Sequence, residues 1–207
     1  MKKKILIAFV VTLCAALLVA GSVFGTLAYL TATKTVTNTF TYGAVAIKMD
    51  ETKVDVYGAP LTGADAGKTE SGNAYKLIPG KTYKKDPVIH VTAGSEKCYL
   101  ILKVESNLTN VETTDATKTI AAQLAGNWTY DSTKGVYYYN QIVDASASAT
   151  DLDVPTFTTF TTANSNAGWP AADGLKIVVT AYAVQAEGFD SASDAYTAAF
   201  GTPANNG

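Results

Sequence analysis

The sequence contains no arginine. All sixteen basic side chains are lysines, and with 18 acidic residues the formal net charge is −2. Because bidentate contacts to phosphate and guanine are largely made by arginine, we expect no nucleic-acid partner. The composition is otherwise that of an ordinary globular chain, with 47% hydrophobic and 16% charged residues among 207. Such values exclude a disordered or collagen-like protein and predict a single domain.

Histidine and cysteine are also scarce. His90 is the single histidine, and Cys14 and Cys98 are the two cysteines. One imidazole cannot supply a His-Glu-x-x-His zinc site, and no Gly-x-Ser-x-Gly nucleophile motif is present. We therefore expect no enzyme, no cofactor and no bound metal. His90 lies in a predicted strand and is interpreted as a structural or surface side chain.

The N-terminus has the pattern of a secretory signal peptide. Three lysines at positions 2–4 precede an apolar run over residues 5–20 and a stretch of small residues over 21–28. Cleavage is expected between Ala28 and Tyr29, so residues 1–28 would be removed and the protein secreted. The alternative is an uncleaved anchor extending to residue 30. The charged head and short apolar core favour cleavage, with membrane contact only beforehand.

Removal of the signal peptide would also remove Cys14 and leave Cys98 without a disulfide partner. Cys98, Leu100, Leu102 and Val104 alternate along one predicted strand and would share a face. Cys98 is therefore interpreted as a small buried core residue and not as a reactive thiol.

Strand patterns dominate the rest of the chain. Threonine occupies every odd position from 31 to 41, which predicts a long strand with one threonine face in residues 29–42. Gly43 interrupts this period, and the apolar alternation resumes over residues 45–49. Further runs rich in β-branched and aromatic residues predict strands at 53–57, 88–92, 99–105, 128–130, 136–140, 157–162 and 175–185.

Two short helices are predicted. Thr114 or Asp115 could cap a helix ending near residue 125, and Asp190 or Ser191 could cap a helix over residues 192–200. Many short strands and only one or two short helices predict an all-β protein, an antiparallel β-sandwich over residues 43–207.

A family resemblance spans nearly the whole chain. Its residues are Gly-Thr-Leu-Ala-Tyr-Leu-Thr at 25–31, Asn-Thr-Phe-Thr-Tyr-Gly at 38–43, Leu-Ile-Pro-Gly-Lys at 77–81, Gly-Asn-Trp at 126–128 and Ala-Val-Gln-Ala-Glu-Gly-Phe at 183–189. These are similar to the TasA and camelysin family of exported fibre proteins of Gram-positive bacteria. Ala32 departs from the family pattern, which commonly has an acid there.

The resemblance implies a jelly-roll β-sandwich, cleavage by a dedicated signal peptidase of the SipW type, and assembly into biofilm matrix filaments. The expected partners are therefore identical subunits, the signal peptidase during export and, as a further candidate, other matrix proteins. The expected location is the extracellular matrix or the cell surface.

The N-terminal segment itself suggests how subunits would join. Lys34 is its only charge, and a long strand with so little charge can add to an open sheet edge of the next subunit. Such a contact is head-to-tail and propagates as a filament. The alternative is that residues 31–42 form the first strand of their own sandwich; the resemblance favours donation. The predicted donor residues are Thr31, Thr33, Thr35, Val36, Thr37, Asn38, Thr39 and Phe40.

Other functions remain open alternatives. The aromatic residues Trp128, Tyr130 and 137–139 could form a carbohydrate platform, as in a monomeric adhesin or glycan-binding sandwich, but a plain hairpin is the favoured explanation, because Tyr and Trp are common in strands. The acids at 190–194 are better interpreted as helix caps than as a calcium loop, and those at 144, 151 and 153 as a solvated loop. A hydrolase would require His90 or one of these acids.

Overall fold

The computed structural model describes residue 3, residues 44–170 and residues 174–201. The chain divides into two compact units, Met1–Thr41 and Tyr42–Gly207. The predicted signal peptide, its cleavage site and the proposed donor residues 31–40 lie outside the described residues, apart from Lys3.

Ten strands and two α-helices are present in the described part of the chain. The strands are β1 (Ile47–Thr52), β2 (Lys68–Thr69), β3 (Thr82–Lys84), β4 (Val88–Val91), β5 (Cys98–Ser106), β6 (Trp128–Asp131), β7 (Val136–Tyr139), β8 (Leu152–Pro155), β9 (Thr159–Thr161) and β10 (Ile177–Gln185). The helices are α1 (Ile120–Leu124) and α2 (Ala192–Phe200), and a 3-10 turn spans Gly63–Asp65.

Every pairing between these strands is antiparallel. One four-stranded sheet has the order β2-β1-β4-β8, a second has the order β10-β5-β7-β6, and β3 pairs with β9. The predicted all-β class with short helices is therefore confirmed. One buried cluster contains residues from both four-stranded sheets, including Ile89 and Val154 from one and Leu100 and Leu102 from the other. The sheets thus share a core.

The central strand β5 is buried on both faces. Cys98, Leu100 and Leu102 point into the shared core, as their alternation predicts, and all three are fully buried. On the opposite face, Tyr99 and Ile101 pack beneath α2, in a second cluster with residues of β7 and the helix. A strand covered on both faces is expected to be a continuous apolar run, and Cys-Tyr-Leu-Ile-Leu is one.

The C-terminal helix begins where its cap predicts. The Asp194 backbone N–H donates to Ser191 Oγ at 3.1 Å, the Ser191 hydroxyl donates to the Asp194 carboxylate at 2.6 Å, and Gly201 ends the helix with φ 76°. The other helix is shorter than predicted. It starts at Ile120 with Thr119 as its cap, because Asp115 instead accepts hydrogen bonds from Thr117 in a local turn.

One predicted strand is wrong and three short strands were missed. Residues 53–57 turn away from β1 because the Asp55 carboxylate accepts the backbone N–H groups of Tyr57 and Ala59. The missed strands are β2, β3 and β8, each of two to four residues. Runs this short carry too few residues to show a period.

Candidate functional site

Strand β10 forms one edge of its sheet. All nine residues pair with β5, from Ile177 opposite Ser106 to Gln185 opposite Cys98, and no other described strand pairs with it. Its sequence, Ile-Val-Val-Thr-Ala-Tyr-Ala-Val-Gln, has no charge and no proline. Unpaired backbone N–H and C=O groups along such an edge are a template for another strand. This edge is the candidate functional site.

The other edges of the two large sheets have features that discourage pairing. Strand β6 has four residues and ends in Asp131. Strand β8 also has four residues, with Asp153 in its interior and Pro155 at its end. Strand β2 has only two residues, and its Lys68 lies 3.6 Å from Asp50. Short length, charge and proline are the usual means of protecting an edge.

Strands β1 and β10 approach each other without a hydrogen-bonded ladder. Some of their Cα atoms lie within 8 Å of one another. The side of β1 away from β4 is covered by β2 only at Glu51 and Thr52. Two neighbouring strands of the opposed sheets therefore both leave backbone groups free within the described part of the chain.

Two cavities adjoin the start of β10. One, of about 270 Å³, is lined by Met49–Glu51 of β1 and by Ile177, Val178 and Val179. The other, of about 670 Å³, also begins at Ile177 and continues past Leu77, Leu175 and Trp169. Each combines apolar walls with a few polar groups, so the space beside the edge can accept apolar side chains.

His90 joins three strands of the first sheet. Its Nδ1 lies 2.6 Å from Asp153 Oδ1 on β8, and its Nε2 lies 3.1 Å from Asp50 Oδ2 on β1. Burial alone would lower the pKa of His90, but the hydrogen bonds and charges of Asp153 and Asp50 outweigh it and raise the pKa above its ordinary value. The ring thus forms a clamp between β4, β8 and β1. Asp153 is solvent-exposed, as expected, but it belongs to β8 and not to a loop, and it contacts this ring.

The remaining candidate residues lie apart from one another. Cys98 is fully buried, and burial raises the pKa of its thiol to about 11. Asp144 accepts the backbone N–H and hydroxyl of Ser146, and these hydrogen bonds lower its pKa. Trp128 is buried, whereas Tyr130 on the same hairpin is 54% exposed. The aromatic residues of the alternative carbohydrate platform are therefore divided between the core and the surface, on the β6–β7 hairpin that was the preferred interpretation.

A polar cluster that the sequence analysis missed lies beside both cavities. Lys85 and Glu51 form a buried ion pair, with the Lys85 Nζ 2.9 Å from Glu51 Oε2. Asn73 donates from its Nδ2 to Glu51 Oε1 at 2.9 Å. Burial and, after it, the negative charge of Glu51 raise the pKa of the adjacent Tyr75. These residues are far apart in sequence and carry no motif, so only folding brings them together.

The described residues contain no group of three or more histidine, cysteine, aspartate or glutamate side chains arranged to bind a metal. Among residues 3, 44–170 and 174–201, no helix has the length and apolar character needed to cross a bilayer. Comparison with family models, with curated proteins and with solved structures finds no match in any of the three.

Proposed function

We propose that the protein is a secreted structural subunit of an extracellular or biofilm matrix filament. Each subunit would donate its N-terminal strand, residues 29–42, to the β10 edge of the next. The observation that carries the proposal is the nine-residue uncharged edge of β10, in a molecule whose other large-sheet edges are short, charged or proline-terminated. This edge also agrees with what the family resemblance implies.

The chemistry of the donor segment matches that of the edge. Main-chain hydrogen bonds to β10 would supply affinity, because the segment 31–42, with Lys34 as its only charge, is long enough to pair along the nine residues of that strand. Its apolar side chains Val36 and Phe40 would fill the cavities beside Ile177 and so fix the register. Donor and acceptor are different surfaces, so assembly runs head-to-tail without closing. We also assign the two opposed four-stranded antiparallel sheets to the jelly-roll type.

Deletion of residues 29–38 tests the proposal. The deleted protein should remain a folded monomer, whereas the exported full chain forms filaments visible by negative-stain electron microscopy. Mass spectrometry of the N-terminus must show that both proteins are cleaved after Ala28. Filaments that persist in the deletion variant would contradict strand donation.

A peptide covering residues 29–42 provides a matched control. It should occupy the β10 edge of monomers and slow polymerisation, whereas the same peptide carrying Val36→Asp and Phe40→Asp should not. Equal inhibition by the two peptides would show that the side-chain pockets contribute nothing. A full chain that stays monomeric at all concentrations would instead indicate that residues 31–42 pair within their own subunit.

The larger cavity favours one second candidate function, that of a glycan-binding sandwich. Trp169 and Tyr75 line it together with the amide side chains of Asn73 and Asn166, a mixture of aromatic faces and hydrogen-bonding groups. Titration with oligosaccharides, followed by tryptophan fluorescence, distinguishes the two functions. Saturable binding by a protein that never polymerises would support the adhesin and contradict the filament.

A further inference from the structure

The cluster of buried Glu51 and Lys85 with partly buried Asn73 has the composition of a small reaction centre. Glu51 is 4% exposed and Lys85 is 9% exposed, so both charged groups are removed from bulk water. The two oxygens of the Glu51 carboxylate accept hydrogen bonds from different residues. Oε2 accepts from Lys85 Nζ at 2.9 Å, and Oε1 accepts from Asn73 Nδ2 at 2.9 Å. One carboxylate therefore accepts hydrogen bonds from both an amine and a carboxamide.

The carboxamide of Asn73 is held in a fixed orientation. Its Nδ2 also donates to the Thr52 carbonyl at 2.9 Å, and its Oδ1 accepts the Val54 backbone N–H at 3.0 Å. The Val54 N–H therefore polarises the C=O bond and would stabilise negative charge on Oδ1 if a nucleophile added to the carbon. A structural ion pair between Glu51 and Lys85 does not require this third partner.

We propose that Lys85 and Asn73 become joined by an intramolecular amide bond, with Glu51 as the proton carrier. Glu51 Oε2 takes a proton from the Lys85 ammonium, and the neutral amine attacks Asn73 Cγ. A bond forms between Lys85 Nζ and Asn73 Cγ while the bond between Cγ and Nδ2 breaks. Glu51 transfers protons from Nζ to the departing nitrogen, which leaves as ammonium.

The reaction needs no other reactant. One ammonium and one carboxamide give one secondary amide and one ammonium ion, so atoms and charge balance, and Glu51 ends in its initial protonation state. Each proton transfer runs along a hydrogen bond of 2.9 Å, within the range expected for general acid–base catalysis. The fold holds the groups together, which substitutes for the high concentrations that amines and amides otherwise require. Both cavities adjoin Lys85 and provide an exit for ammonia.

The amide bond would join two chain segments that lie beside the start of β10. It closes a loop from residue 73 to residue 85 and links the chain after β2 to the chain after β3. Unlike the ion pair, it would survive unfolding. A cross-link of this kind suits a subunit with no internal disulfide, because Cys98 is the only cysteine in the described residues.

Intact-mass spectrometry of the purified full chain tests the proposal directly. After the N-terminus has been identified, the mass should be lower than the sequence mass by about 17 Da, the mass of the lost ammonia. Trypsin should release residues 69–76 joined to residues 85–97, and should fail to cut after Lys85. Folded protein with the full sequence mass and with separate peptides would overturn the proposal.

Two variants distinguish amide-bond formation from other reactions that release ammonia. Lys85→Arg retains the positive charge beside Glu51 but removes the amine, so the mass loss should disappear. Lys84→Arg is the matched control, because Lys84 directly precedes Lys85 and pairs instead with Asp86 at 3.1 Å. This variant should keep the full mass loss. A loss that persists in Lys85→Arg would point to a cyclic imide at Asn73 and would overturn the proposal.

Two further variants test the roles of Asn73 and Glu51. Asn73→Asp should form the same bond with loss of water in place of ammonia, so the mass falls by about 18 Da relative to its own sequence. Glu51→Gln cannot carry the proton, so both side chains should remain unlinked in a protein whose circular dichroism matches the wild type. A fully cross-linked Glu51→Gln protein would remove Glu51 from the reaction.

Discussion

The β10 edge and the β8 edge differ in almost every property that controls strand addition. Strand β10 offers nine residues without charge or proline. Strand β8 offers four, and its Asp153 is bound to His90 of the neighbouring strand. The two edges belong to sheets that share one core, so both strands contribute to the same fold. The stability of that fold does not explain why β10 lacks the charge and proline that β8 has. Among the described strands, β10 therefore forms an unprotected edge, whereas β8 has the short length, charge and proline that discourage pairing.

The largest effect is expected from a charge placed on β10. Val178 is 38% exposed and lies opposite Glu105, so Val178→Lys gains a favourable cross-strand partner within the monomer. Filament formation should fall at least about tenfold, because lysine on an edge opposes strand addition. The measurement is the rate of polymerisation by light scattering.

Thr129→Lys on β6 is the control for that experiment. It adds the same charge to an exposed position of the short opposite edge of the same sheet. Its polymerisation rate should match the wild type. Equal slowing by the two variants would mean that net charge, and not the β10 edge, governs assembly.

The next largest effect is a difference in stability between variants of the central strand β5 and variants of the edge strand β10. Leu100 on β5 is fully buried, so Leu100→Ala should reduce the free energy of unfolding by about 3 kcal/mol. Val179 on β10 is only partly buried, so Val179→Ala should cost about 1 kcal/mol. Urea unfolding of unpolymerised protein measures both. Equal losses of unfolding free energy in the two variants would show that β10 is already covered within the monomer.

A smaller effect on stability is expected from the clamp formed by His90, which contacts Asp153 on β8 and Asp50 on β1. The folded-state pKa of His90 is raised, so its stabilising contribution is complete below the unfolded pKa of about 6.5 and is lost as the pH rises through the folded value. The loss of unfolding free energy in His90→Gln should therefore be greater at about pH 5.5 than at about pH 9, by about 0.5–1 kcal/mol. Asp153→Asn should reduce this pH dependence, and a pH-independent difference would exclude the clamp.

The smallest effect is expected at Cys98, which pairs with the last residue of β10. Its buried thiol should react slowly with iodoacetamide near neutral pH, since both burial and the raised pKa disfavour the thiolate. Added strands along β10 should suppress local opening, so the thiol should react a few-fold more slowly in filaments than in monomers. Alkylation followed by mass spectrometry gives the rates, and equal rates would indicate that assembly leaves β10 unaffected.

Much of the fold was predictable because it depends on neighbours in sequence. The alternation of Cys98, Leu100 and Leu102 predicts which face of β5 enters the core, and Ser191 with Asp194 predicts the start of α2. The short strands β2, β3 and β8 were not predictable, because each forms against partners distant in sequence. The helix near residue 120 was predicted, but the turn at Asp115 moved its cap to Thr119.

Composition and local pattern thus determined the all-β class, the long strands β5 and β10 and the buried thiol, because each depends on residues within a few positions of one another. Tertiary structure decided which strands lie at an edge, since β5 and β10 have similar lengths and apolar character in sequence. It also decided that Glu51, Asn73 and Lys85 meet, with Glu51 and Lys85 buried and Asn73 partly buried. Such encounters depend on how the sheets pack, and no short segment encodes that packing.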